Sequence, residues 1–113
     1  VNIDEIIYYC KKFKIRMCFD VSHSMLTCNN FGYDIYEFAK KIAPYSAHIH
    51  LGDALGVNGE GLQIGDGEID FNLLGKILRE NSPNSSFIPE IWQGHKNEGE
   101  GFFIALQKLE NLL

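Results

Sequence analysis

The chain has 113 residues, enough for one domain, with 45% hydrophobic and 12% aromatic content, so a packed core is expected. A formal charge of −5 and a pI near 5.2 argue against a nucleic-acid-binding surface, which normally carries a basic patch. No run approaches the roughly 18 apolar residues a membrane span needs, and no signal peptide is visible.

Residues 3–13, IDEIIYYCKKF, place Ile3, Ile6, Ile7 and Cys10 at helical spacing. The basic cluster Lys11, Lys12 and Lys14 is expected to be the solvated end of that helix. Residues 15–20, IRMCFD, predict a strand. The polar stretch 21–32 predicts a loop, with Asn29, Asn30 and Gly32 as turn residues. Residues 34–43 return to helical spacing through Ile35, Phe38, Ala39 and Ile42, and Pro44 stops the helix.

Residues 47–52 predict a second strand. A long loop follows, marked by Gly52, Gly56, Gly59, Gly61, Gly65 and Gly67. Residues 70–80, DFNLLGKILRE, predict a helix with Asp70 as N-cap. FIPEIW at 87–92 predicts a third strand. Residues 99–113 predict a closing amphipathic helix, with Glu98 and Glu100 near its N-terminus, where negative charge suits the helix dipole.

The three cysteines lack CxxC spacing, so a disulfide framework is not expected and a reducing, cytoplasmic setting is. Cys10 and Cys18 are expected in the core, and Cys28 in an exposed loop. The chain opens on Val, which suggests processing or a fragment of something longer.

Three strands alternating with four helices imply an α/β fold with parallel pairing. All three strands then end on the same side, where such folds place their active sites. Three strands are too few for a closed (β/α)8 barrel, so a partial barrel with open sheet edges is expected. The Rossmann GxGxxG is missing after every strand, and GDG at 65–67 lacks its spacing.

Each strand ends in a residue that binds divalent metals: Asp20, His50 and Glu90. His23 lies three residues beyond Asp20 and can reach the same pocket. Alternation puts His48 and His50 on one face. His50 is the better ligand, and His48, one layer deeper, is expected to be a hydrogen-bonded core histidine. Asp53 is read either as a carboxylate that orients a histidine or as a cap for local backbone. Glu90 lies in an apolar strand, where a carboxylate is costly unless paired or metal-bound. Trp92 either walls a ligand or joins the core, and His95 is expected in a solvated loop.

FDVSH, HIHLGDA with the Gly-rich loop ending GDGEIDF, and PEIW resemble the xylose-isomerase-like barrel superfamily. That superfamily includes sugar-phosphate isomerases, epimerases and endonuclease IV-type abasic-site nucleases. The resemblance covers residues 1–113 as the C-terminal half of such a barrel, from about its fourth helix to its seventh. It implies metal ligation by Asp20, His50 and Glu90, with a fourth ligand, a Glu on the preceding strand, lying before Val1. It implies that His23 contacts substrate, or in the nucleases a further metal.

The implied function is divalent-metal isomerisation or epimerisation of a sugar or sugar phosphate in the full-length protein, by proton transfer through a metal-stabilised enediolate. Glu90 would move the proton, and the metal would be Mn²⁺, Mg²⁺, Co²⁺ or Zn²⁺. The 113-residue piece alone is expected to be inactive, and to associate with another copy or with the missing half barrel. One alternative is an abasic-site nuclease, against which the loop reads Asn58-Gly59-Glu60-Gly61 instead of the nuclease Asp-x-His pair. The loop also lacks the Arg that some ketose epimerases place there. Another alternative is a non-catalytic binding or assembly module, since GEGLQIGDGEIDF and PEIWQGHKNEGEGF resemble barrel domains found with sialic-acid-synthase-type proteins.

Overall fold

The structure is a computed structural model that describes residues 2–113. Helix α1 (Ile3–Phe13) is capped at its N-terminus by the Asn2 side chain and closes at Lys14 in a left-handed conformation. Strand β1 (Met17–Asp20) runs directly into α2 (Val21–Phe31), with Asp20 as the cap. Then come α3 (Ile35–Ile42), a 3-10 turn over Ala43–Tyr45, and β2 (Ser46–Leu51). A hairpin of β3 (Asp53–Leu55) and β4 (Gly59–Leu62) precedes α4 (Phe71–Asn81), β5 (Ser86–Pro89) and α5 (Lys96–Glu110).

Two expectations need correction. The stretch 21–32 is a helix rather than a loop, so the fold has five α-helices rather than four. Val21, Met25 and Cys28 stand at i, i+4 and i+7 and pack inward, while Asn29 and Asn30 fall in the last turn. Gly32, expected in a turn, is the left-handed C-cap (φ 74°). The Gly-rich segment is not all loop, since its first half pairs as the antiparallel hairpin β3–β4.

Strands β1, β2 and β5 form a parallel sheet in the order β1-β2-β5. Both outer strands therefore have a free edge within the sheet, and the fold is a partial barrel. The register places Cys18 beside His48 and His48 beside Ser86. One layer further along, Asp20 lies beside His50 and His50 beside Ile88. Phe19, Ile49 and Leu51 alternate with these residues and pack beneath the helices against Val21, Ile42, Leu74 and Leu109.

The opposite face of the sheet is open, and this corrects three side-chain expectations. Cys18 lies on the open face and is exposed, whereas Cys28 is fully buried under α2; Cys10 is buried as expected. His48 is half-buried on the open face, not in the core, with Nδ1 2.7 Å from Ser86 Oγ. No helix among the described residues is long and apolar enough to cross a membrane.

A candidate metal-binding site at the strand ends

Asp20 holds its position because it does two local jobs. It ends β1, and its Oδ1 accepts the backbone N–H of His23 at 3.0 Å as the N-cap of α2. That cap turns the chain so that His23 faces back, with Nδ1 2.9 Å from Asp20 Oδ2. The Asp-x-x-His spacing is thus a capping geometry that delivers two functional groups to one point.

His50 is carried by β2 beside Asp20, and Nδ1 stands 3.9 Å from Asp20 Oδ2. The same nitrogen pairs with the Glu90 carboxylate. Glu90 follows β5, and its N–H donates to the Leu51 carbonyl at 2.8 Å, which extends the ladder one step past Pro89. Between β2 and Glu90 the backbones are too close for a side chain. A Cβ on Gly52 would stand 2.6 Å from the Glu90 carbonyl oxygen.

One donor atom from each of Asp20, His50 and Glu90 lies within 4.8 Å of the others. Two carboxylates and an imidazole suit a hard or borderline divalent cation. His50 Nδ1 sits between the two carboxylates, where one cation would neutralise both. The donor set therefore fits a metal.

The site extends beyond the triad. His23 Nε2 pairs with Glu60, on β4 of the hairpin. Glu60–His23–Asp20–His50–Glu90 is then a continuous chain of alternating acids and imidazoles. The Asp20 hydrogen bond and the charges of Asp20 and Glu60 raise the His23 pKa above its ordinary value, against a smaller opposing effect of partial burial. Burial and the charges of Asp20 and Glu90 push the Cys18 thiol up.

Glu60 was not anticipated as a site residue, and no spacing motif marks it; only pairing of the hairpin brings it to His23. Ser22 was also missed. Its buried hydroxyl donates to the Asp53 carbonyl at 3.0 Å and accepts the Gly61 N–H at 2.8 Å. The Gly61 carbonyl in turn accepts Trp92 N–H at 2.8 Å. Gly61 has φ +63°, and a Cβ there would lie 3.2 Å from the Trp92 nitrogen, so both the turn and the contact favour glycine.

Of the two roles considered for Asp53, backbone capping is the one observed. Its carboxylate is fully buried and accepts N–H groups from Ala54, Gly65, Gly67 and Ile69 at 2.8–3.1 Å. It orients the loop, not a histidine. Trp92 is not a core residue, being 72% exposed. His95 is exposed just before α5, where a solvated loop residue was expected.

A pocket of about 190 Å³ is lined by Asp20, Ser22, His23, Glu60, Glu90 and Trp92, with Gly52, Gly61 and Ile91 completing the wall. A larger hollow of about 770 Å³ lies between α1 and the α2–α3 connection, around Phe31, Tyr33 and Lys41. It shares no residue with the strand-end site, and the chemistry converges in the smaller pocket.

A family model described as a xylose isomerase-like TIM barrel matches residues 1–112. No curated protein matches the chain.

Proposed function

The chain belongs to the xylose isomerase-like TIM-barrel family, and from that premise we propose that it serves metal-assisted isomerisation or epimerisation of a small sugar. The observation that carries this proposal is the meeting of one donor atom each from Asp20, His50 and Glu90 within 4.8 Å. A divalent cation held there would act as a Lewis acid on neighbouring carbonyl and hydroxyl oxygens of a substrate.

The residues divide the remaining work. Glu90 is half-exposed at the strand end; with one carboxylate oxygen on the cation, the other would reach a substrate carbon beside a carbonyl and move its proton. His23, held by Asp20 through Nδ1, would hydrogen-bond a substrate oxygen through Nε2 where that oxygen takes the place of Glu60. Asp20 holds His23 and would share the cation with His50 and Glu90. We propose further that the chain forms the C-terminal half of a barrel. The free edge of β1 would pair with a preceding strand, and a Glu at the end of that strand would complete the ligand set and supply the second proton-transfer carboxylate.

The test is exchange of a sugar C–H with solvent deuterium, followed by NMR on the full-length protein with Mn²⁺, Mg²⁺, Co²⁺ or Zn²⁺. Exchange that needs the metal and is lost in Glu90→Gln is the expected result. A broad sugar panel with no exchange under any of these metals would remove the proposal.

A further inference from the structure

Among the described residues, three of the four non-glycine residues with positive φ, Gln93, Asn97 and Glu98, fall between Glu90 and the body of α5. Asn97 (φ 52°, ψ 48°), Glu98 (φ 63°, ψ 30°) and Gly99 (φ 85°, ψ 23°) follow one another, so the chain winds left-handed at the start of α5. Glycine takes that conformation freely and asparagine tolerates it, but glutamate has no local reason to adopt it. The side chains of His95, Lys96, Asn97, Glu98 and Glu100 are all exposed, so core packing does not impose it.

The segment is closed on itself. Phe102 N–H donates to the Gly94 carbonyl at 3.2 Å. A Cβ on Gly101 would stand 3.1 Å from Gly94 Cα, so the two glycines meet backbone to backbone. Inside this neck, Gly99 N–H donates to the His95 carbonyl at 3.1 Å and Asn97 Nδ2 donates to Glu100 Oε2 at 3.3 Å.

A right-handed turn in the same place would carry α5 back to Lys96 and set Gly94 and Phe102 roughly 12 Å apart along the axis. The body of α5 is held in the core by Ala105 and Leu109, both buried, so the Trp92–Gly94 side has to yield. Trp92 is 72% exposed, and its backbone is tied by the N–H donated to the Gly61 carbonyl. Moving it breaks that hydrogen bond and disturbs little buried surface. Trp92 also lines the strand-end pocket.

The two windings carry costs of similar size. The left-handed form disfavours Asn97 and Glu98 by roughly five- to thirtyfold each, asparagine at the lower end. The right-handed form sets Gly99 in a helix and gives up the Gly94–Phe102 and Gly61–Trp92 hydrogen bonds, at about fivefold for each of the three. The products match within about tenfold, so both forms are populated.

We infer that residues 95–100 are a two-state strap that positions Trp92 at the pocket. The left-handed form keeps Trp92 in the pocket wall, and the right-handed form withdraws it. The device depends neither on the metal nor on the sugar chemistry proposed above.

Amide relaxation dispersion by NMR on the full-length protein tests this. Exchange with one common rate is expected at residues 95–100 and at the Trp92 indole N–H. Glu98→Gly relieves the left-handed form, so the minor population should fall about tenfold. Gly99→Ala acts the other way: φ +85° becomes strained and the Cβ meets the Phe103 ring at 3.1 Å, while helix propensity rises about fivefold. The right-handed form should then dominate, with helical Cα shifts at 97–99, a displaced Trp92 indole signal and fast hydrogen exchange at the Trp92 amide.

Flat dispersion at 95–100, with Gly99→Ala still left-handed, overturns the inference. So does exchange that Glu98→Gly leaves unchanged, a result that decides alone where Gly99→Ala does not fold. A Gly99→Ala chain that rewinds while the Trp92 indole and amide stay as they are also overturns it, because the strap would then not reach the pocket.

Discussion

Replacing Asp53 with Ala tests whether one buried carboxylate holds the loop that frames the site. Oδ1 accepts from Ala54 at 2.8 Å and Ile69 at 3.1 Å, and Oδ2 accepts from Gly65 and Gly67, each at 2.9 Å. Two of the four bonds, those to Ala54 and Ile69, are buried, and their N–H groups could not regain water. Each buried donor left unpaired costs about 1–3 kcal/mol. The Gly65 and Gly67 amides are only part-buried and would recover some hydration.

The expected loss in Asp53→Ala is therefore about 3–5 kcal/mol, a large share of the roughly 5–15 kcal/mol that stabilises a typical domain. Asp53→Asn separates charge and acceptor number from shape. Its NH₂ would confront two N–H donors while its oxygen keeps the other two, so about half the loss is expected. Urea unfolding measures both variants. With a slope of about 2 kcal/mol/M, the Ala variant should shift the midpoint down by about 2 M. Amide hydrogen exchange should become fast at Gly67 and Ile69. An Ala variant within about 1 kcal/mol of the parent, with those amides still protected, would refute the reasoning.

Asp20→Asn keeps an N-cap of equal quality but removes the ligand charge, so calorimetry with Mn²⁺ should show binding weakened by more than about tenfold with thermal stability nearly unchanged; equal metal affinity would exclude Asp20 as a ligand. Gly52→Ala would force the Glu90 backbone outward, since the added Cβ meets the Glu90 carbonyl oxygen at 2.6 Å, and metal affinity should fall although no ligand is changed. Among the thiols, Cys18 should react with an aromatic disulfide reagent in the native chain while Cys10 and Cys28 react only after denaturation; fast native labelling of Cys28 would contradict its burial. In metal-free protein the His23 imidazole should titrate above the ordinary value near 6.5, because of its Asp20 hydrogen bond and the charges of Asp20 and Glu60. A raised folded pKa means that this contribution to stability is complete below the unfolded value and is lost as pH rises through the folded one. An NMR midpoint that does not fall in Asp20→Asn would sink that assignment.

The triad was legible because strand alternation and strand ends are local properties. In β2, Ile49 and Leu51 alternate with His48 and His50, so one face had to be apolar and the other had to carry imidazoles. Once the strands are taken as parallel, Asp20, His50 and Glu90 must share an end. Helix α2 was harder to see, since its inward residues Val21, Met25 and Cys28 are interrupted by Ser, Thr and Asn. Those polar residues also occur in turns, and only the Asp20 cap and the Gly32 exit mark the helix. The burial of Cys18 and Cys28 was misjudged for the same reason. A cysteine's surroundings in sequence do not say which sheet face or helix face it occupies.

The sequence by itself thus determined the three parallel strands, four of the five helices, the common end of the strands and the three residues placed there, but neither α2 nor the hairpin. Tertiary structure alone decided that Glu60 meets His23, that Ser22 and Gly61 lock the hairpin to Trp92, and that Asp53 serves the loop backbone. The Glu60, Ser22 and Gly61 contacts join residues about 30 to 40 positions apart, and those of Asp53 reach from its neighbour Ala54 to Ile69 along the loop. They leave no periodicity in the chain, because a hydrogen bond depends on where two atoms arrive in space, whereas periodicity records only which face each residue must bury.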